Sequence, residues 1–249
     1  MTNIKSNRVF KKNMIYSLRA RGTEMKNTKI TWCDATLNPV IGCKLNCPYC
    51  YAKVMNNRYG FIDNWNDLLF ISDRLKQLNT VYPKSIFMNS MSDIAFWENE
   101  WIEKVFSSMK INSKNEYIFL TRDAAAIRKF GIYRNFELML SNKIFLGLTI
   151  TNQDEIYSLD ECEPDFVAFE PLASEITTLD FSNYNSIKVI IIGAETGNRI
   201  QKIVTNKMWV RQLVQSADKA NIKVYMKDSL KSLMGAEFRQ DNLPWTIHK

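Results

Sequence analysis

Short apolar, β-rich runs alternate with helical patterns along this chain, and that alternation limits its fold more than any other feature. The runs are Lys29–Cys33, Ser85–Met88, Tyr117–Leu120, Ile144–Thr149, Phe166–Phe169, Lys188–Ile192 and Lys223–Met226. Helices are expected at Tyr51–Tyr59, Asp73–Leu78, Glu98–Met109, Ala124–Phe130 and Lys207–Ala220, the last with Trp209, Leu213 and Ala217 on one face. Strands that alternate with helices pair in parallel, because each return needs a crossover long enough to hold a helix. The expected fold is therefore α/β, a partial (β/α) barrel of about six or seven parallel strands. A doubly wound sheet fits less well: every polar motif follows the C-terminal end of a strand, and none is a Gly-x-Gly-x-x-Gly turn.

The loop after the first run carries the chemistry. Asp34 to Gly42 is polar and marked by Pro39 and Gly42, and it delivers Cys43, Cys47 and Cys50 to the C-terminal end of the strand. Three of the chain's five cysteines fall in this one stretch. At a Cys-x-x-x-Cys-x-x-Cys spacing three thiolates can hold three irons of a 4Fe-4S cubane and leave the fourth iron open to a small molecule. A zinc site would want four ligands, yet the single histidine, His248, is penultimate and the spare thiols are Cys33 and Cys162. A disulfide framework would want an oxidising compartment, an even cysteine count and a secretory segment. Cys33 and Cys162 read most simply as buried apolar thiols, and Trp32, Trp97, Trp101 and Trp209 as core.

The cysteine spacing, with the aromatic Tyr49 before the last ligand, resembles the signature of the radical S-adenosylmethionine superfamily. Asn38-Pro39-Val40-Ile41-Gly42 ahead of it and Tyr51-Ala52 behind it are similar to a phage-associated branch, and more distantly to the spore photoproduct lyase type. Asn89–Asp93, Phe119–Thr121, Leu146–Thr149, Phe169–Leu172, Ile192–Gly197 and Met226–Lys227 extend the likeness over residues 28 to 235. Within the branch the chain looks most like the queuine lyase type of gut clostridia. That resemblance implies a radical-SAM-type partial barrel, a 4Fe-4S cluster, S-adenosyl-L-methionine, and an electron donor of the flavodoxin or ferredoxin type. It also implies a reaction, cleavage of the carbon–nitrogen bond of queuine to release 7-aminomethyl-7-deazaguanine for queuosine salvage.

Roles for other residues follow from the same resemblance. Cys43, Cys47 and Cys50 are the metal ligands, and Tyr49 covers the adenine side of the cofactor. Where the superfamily usually places Gly-Gly-Glu, this chain has Asn89-Ser90-Met91-Ser92-Asp93, so Asn89, Ser90 and Ser92 take the methionine ammonium and Asp93 caps the following helix. Thr149 and Thr151 follow a strand where ribose hydroxyls are bound. Four charged residues, Arg122, Glu170, Glu195 and Lys227, follow strands toward the mouth, where an unpaired charge would be costly. Glu170 and Lys227 are read as catalytic; Arg122, Glu195, Asp34 and Asn38 are read as substrate contacts, the carboxylates suiting the adjacent N–H donors of a guanine-like edge.

Charge is unevenly placed. Lys5, Arg8, Lys11, Lys12, Arg19 and Arg21 against Glu24 give residues 1–24 a charge of +5 out of the chain's +7. The body, residues 25–249, is expected to be one near-neutral domain, with the leader disordered or non-native and Met25 the natural start. No run is long and apolar enough for a membrane span, so a soluble, cytoplasmic protein with free thiols is expected. The expected partner is a small nucleobase. The alternatives are a radical enzyme acting on DNA or RNA, to which the basic leader would bind, and a non-enzymatic iron–sulfur or zinc protein.

Overall fold

The computed structural model describes residues 28–136 and 143–247. The basic leader and His248 lie outside the described residues. Seven strands form one parallel sheet in the order β1 (Ala35–Thr36), β4 (Ser85–Phe87), β5 (Glu116–Thr121), β6 (Ile144–Thr149), β7 (Phe166–Phe169), β8 (Val189–Ile192) and β9 (Lys223–Met226). A separate ribbon pairs β2 (Val40–Ile41) antiparallel with β3 (Leu69–Phe70). The sheet curls into a half-barrel, the α/β partial barrel expected from the alternation.

Alternate residues of each strand belong to two different cores. Tyr117, Phe119, Val167, Phe169, Ile190 and Ile192 pack outward with Ile102, Val105 and Met109 of α2 (Asn99–Ile111), Phe130 of α3 (Ala124–Phe136) and Leu213 of α4 (Lys207–Lys219). Ile118, Phe145, Phe166, Ala168, Val189 and Ile191 pack inside the curl. Both faces are covered, which is why these strands read as continuous apolar runs. Gly147 is required on the inner face, since a Cβ there would lie 2.2 Å from the Phe166 ring.

The inner core is closed at the N-terminal ends of the strands by two tryptophans. Trp245, near the end of the described chain, donates its indole N–H to the Trp32 carbonyl at 2.6 Å and packs against Phe145 and Phe166 with ring centroids 5.3 and 5.1 Å away. Here the structure departs from the expectation for Lys29–Cys33. That segment forms turns rather than a strand, and its apolar side chains Trp32 and Cys33 are part of the plug. The strand begins two residues later, at Ala35. Asp73–Leu78, expected as a helix, is a 3₁₀ helix spanning Ser72–Leu78. Trp97 packs edge-on to Phe119, and Trp101 stacks on Phe70 at 5.7 Å, both as expected for core. Among the described residues no helix is long and apolar enough to cross a membrane.

Candidate active site

The plug fills the lower part of the inner face and leaves its C-terminal end to polar residues. Extending the period of two past the strand ends selects them. Ile118 and Leu120 lead to Arg122; Phe145 and Gly147 lead to Thr149 and Thr151; Phe166 and Ala168 lead to Glu170; Val189 and Ile191 lead to Gly193; and Tyr225 leads to Lys227. Arg122, Thr149, Glu170 and Lys227 therefore share one mouth by strand parity alone.

The cysteine loop lies over this mouth. The β2–β3 ribbon fixes its entrance, and the Cys43 amide donates to the Trp65 carbonyl at 2.9 Å. Gly42 has a left-handed φ of 102°, and a Cβ there would approach the Trp65 carbonyl to 2.9 Å, so glycine alone fits. Cys50 ends the loop as the N-cap of α1 (Tyr51–Tyr59), its sulfur accepting from the Lys53 amide at 3.4 Å. Gly60, left-handed at φ 62°, stops that helix by donating to the Asn56 carbonyl at 2.6 Å.

All three thiols are free. Burial pushes Cys43 up to about 12 and raises Cys50, and the neighbouring cysteines add to both shifts. An anionic thiolate there needs a cationic partner such as a metal. Among the described residues no three His, Cys, Asp or Glu side chains surround a single point closely enough for one metal ion. A cubane makes a different demand: each thiolate binds a different iron, so the sulfurs stand at separate corners. Two donors nearby suit an anionic iron–sulfur group. Arg122 Nη1 lies 3.8 Å from Cys47 Sγ, and the buried indole N–H of Trp65, in the same apolar cluster as Cys43, has no partner among the described residues. The donor set fits a three-thiolate cluster.

Arg122 ties the loop to the strand ends. Its guanidinium donates to the Tyr49 hydroxyl and the Glu155 carboxylate, and Nη2 reaches Thr151 Oγ1 at 3.4 Å. Glu155 in turn accepts from the Thr151 amide at 2.7 Å and its hydroxyl at 3.0 Å. Burial raises the Tyr49 phenol, and Arg122 opposes that shift. Arg122 is thus a structural fork as well as a mouth residue. Thr151 is a member of this network, and Thr149 ends β6 beside it.

The 89–93 segment is held chiefly by its own side chains. Asn89 donates to the Leu120 carbonyl at 2.6 Å and accepts from its amide at 3.0 Å, extending the strand pairing beyond β4. Asn38 Oδ1 accepts from the Met91 amide at 2.8 Å and the Ser90 hydroxyl at 3.1 Å, clipping the cysteine loop to this segment. Ser92 accepts from the Trp97 indole at 3.1 Å. Asp93 caps the Ile94–Phe96 turn as expected and also accepts from Thr121 Oγ1 at 2.6 Å. Asn38, Asn89, Ser90 and Ser92 therefore have internal partners that the sequence reading did not give them.

Glu170 and Lys227 form an ion pair at the mouth, about a quarter exposed on each side. Gly193 sits between their stems, where a Cβ would meet Lys227 Cδ at 3.0 Å and Glu170 Cγ at 3.3 Å. Glu195 differs. Its carboxylate is almost fully buried and receives Arg199 Nε at 2.7 Å, Arg199 Nη2 at 2.8 Å and the Ile203 amide at 2.9 Å. Arg199 holds it below the usual glutamate range. Asp34 lies at the other end of the sheet, accepting from the Ser85 amide and hydroxyl at 2.9 Å each. Neither carboxylate presents an open acceptor to the mouth, which revises their reading as substrate contacts.

Two mouth residues escaped the sequence reading. Glu155 completes the Arg122 fork. Tyr51 follows the last cysteine and, half exposed, donates its hydroxyl to the Ser90 carbonyl at 2.6 Å. The Cys50-Tyr51-Ala52 motif was the available signal for it. A surface concavity between Ser72, Leu75, Lys104 and Ile111 lies elsewhere and contains none of these residues.

Fold and site define a class, the parallel half-barrels whose first crossover loop carries three cysteines over the C-terminal mouth. The chain belongs to the family described as protein of unknown function (DUF5131), which matches residues 27–235. It is 29% identical over 174 residues to the uncharacterized protein MJ0683 of Methanocaldococcus jannaschii, a match covering 66% of this chain and 63% of that protein. The chain thus spans less than two thirds of this relative's length. A solved structure, a cysteine-to-alanine mutant of spore photoproduct lyase with dinucleoside spore photoproduct, is similar at TM-score 0.46 and 12% identity, covering 82% of this chain and 66% of that one.

Proposed function

We propose that the chain is a radical S-adenosylmethionine lyase that cleaves the carbon–nitrogen bond of queuine and releases 7-aminomethyl-7-deazaguanine for queuosine salvage. One observation carries the radical reading: Cys43, Cys47 and Cys50 stand on one loop over the mouth of a parallel half-barrel, joined to the strand ends by Arg122. The queuine assignment rests on the resemblance of the cysteine-loop and strand-end motifs. Cys43, Cys47 and Cys50 would hold a 4Fe-4S cluster with an open iron, which when bound would supply the electron for reductive cleavage of S-adenosylmethionine. The protein's residues do the remaining work. The three thiolates hold the cluster, while Tyr49, Ser90, Thr149 and Thr151 line the cofactor side. Glu170 accepts N–H donors from a guanine-like edge, and Lys227 holds at Nζ a proton for the departing nitrogen.

The reading is tested with the anaerobically reconstituted enzyme. Queuine should raise its thermal midpoint, while the nucleoside and an oligonucleotide should not. Glu170→Gln and Lys227→Met should keep 5′-deoxyadenosine formation and lose queuine turnover. An oligonucleotide that raises the midpoint instead would move the substrate to nucleic acid.

A further inference from the structure

The guanidinium of Arg122 is divided between a cysteine sulfur and a carboxylate. Nη1 lies 3.8 Å from Cys47 Sγ and donates to the Tyr49 hydroxyl, while Nη2 donates to Glu155 and reaches Thr151 Oγ1. The backbone behind it is pinned: the Arg122 amide donates to Asp93 Oδ2 at 3.0 Å, and Asp93 Oδ1 is taken by Thr121 Oγ1.

Glu155 is held as firmly. One of its oxygens receives Arg122, and the other receives the Thr151 amide and hydroxyl, so neither is free to swing to solvent. Glu155 comes from the 3₁₀ helix Gln153–Leu159, whereas Arg122 follows the end of β5, so the pairing is set by the packing of two elements. Each side chain is only about a quarter exposed, which limits screening by salt.

The two charges act on a bound cluster in opposite senses. A 4Fe-4S cluster becomes more negative by one charge when it takes up an electron, so a cation or N–H donor beside a ligand sulfur favours the reduced state. A carboxylate beyond that cation opposes the effect, more weakly because it acts over a longer distance.

Resting on the radical reading above, we propose that Arg122 and Glu155 are an opposed pair of positioning residues that sets the reduction potential of the cluster. The guanidinium raises the potential through Cys47, and the carboxylate holds it down by drawing on the same charge. The step they govern is the passage of one electron from a reductant, which is oxidised, to the cluster, which is reduced, with no bond made or broken. A clasp that only held the loop in place would not shift the potential in opposite directions when its two halves were replaced.

The test poises the anaerobically reconstituted holoenzyme, without S-adenosylmethionine, at a series of potentials. The reduced cluster is read by electron paramagnetic resonance, and iron is counted in the same samples. At the wild-type midpoint, Arg122→Met should lower the reduced-to-oxidised ratio about tenfold, which is about 59 mV for one electron. Glu155→Gln should raise that ratio about threefold. Lys219→Met, at the end of α4 where the chain returns to the start of β9, should change it less than about twofold. With iron retained, a fall under about threefold from Arg122→Met, a rise under about twofold from Glu155→Gln, or a comparable shift from Lys219→Met would overturn the proposal. If Arg122→Met loses its iron, Glu155→Gln decides alone, since the partners of Glu155 are Arg122 and Thr151. An unchanged or lowered ratio there, or loss of iron there too, overturns the proposal. A wild type that binds no reducible cluster would sink the radical reading itself, and its own iron count tells that failure apart.

Discussion

Glu195 follows the most apolar strand, and its position by itself suggests a group delivered to the mouth. Its partners give it a different task, anchoring the stretch from Arg199 to Ile203. Because its folded-state pKa is depressed, its contribution to stability is present above the usual glutamate range and is lost as pH falls through the lower folded value. Glu195→Gln should lower the urea midpoint at neutral pH and flatten its decline on acidification, while queuine still raises the thermal midpoint. A variant of unchanged stability that no longer responds to queuine would return Glu195 to the substrate. The cysteines divide more sharply. Cys43→Ala, Cys47→Ala and Cys50→Ala should each lose bound iron, and Cys33→Ala, in the plug, and Cys162→Ala, whose thiol donates to the Ser158 carbonyl at 3.3 Å, should keep it. Iron loss from either of the last two as complete as from the first three would point to a closed four-cysteine site.

At the scale of elements, what the sequence shows depends on how local the cause is. Six of the seven sheet strands were legible, because a strand covered on both faces is a continuous apolar run. The exception, Lys29–Cys33, is apolar for a different reason: Trp32 and Cys33 belong to the plug that Trp245 completes. The β2–β3 ribbon, two residues per strand, is too short for any periodicity to register. The mouth was legible through strand parity, which put Arg122, Thr149, Glu170 and Lys227 together. Its internal clasps were not, since Asn38 with Met91, Tyr51 with Ser90 and Arg122 with Glu155 are contacts set by tertiary packing. The plug carries its own prediction. Trp245→Ala removes a buried ring from the inner core and should cost about 3–5 kcal/mol in denaturant unfolding. A loss under about 1 kcal/mol would show that the core can close without it.

For the whole molecule, the described residues form one curled sheet whose lower end is plugged and whose upper end carries three cysteines, an arginine fork and an ion pair. A small base without phosphates makes no phosphate contacts in such a mouth, so turnover of queuine should change little with salt. A steep salt slope would indicate phosphate contacts and a nucleic-acid substrate. Both outcomes presuppose the central claim, that the three thiolates hold a cluster with an open iron. The most direct test is to reconstitute the protein with iron and sulfide under anaerobic conditions, reduce it, add S-adenosylmethionine, and measure bound iron and 5′-deoxyadenosine together. About four irons per chain with 5′-deoxyadenosine formed in proportion to enzyme is the predicted result. A protein that binds no iron, or that binds iron and leaves S-adenosylmethionine intact, would contradict it.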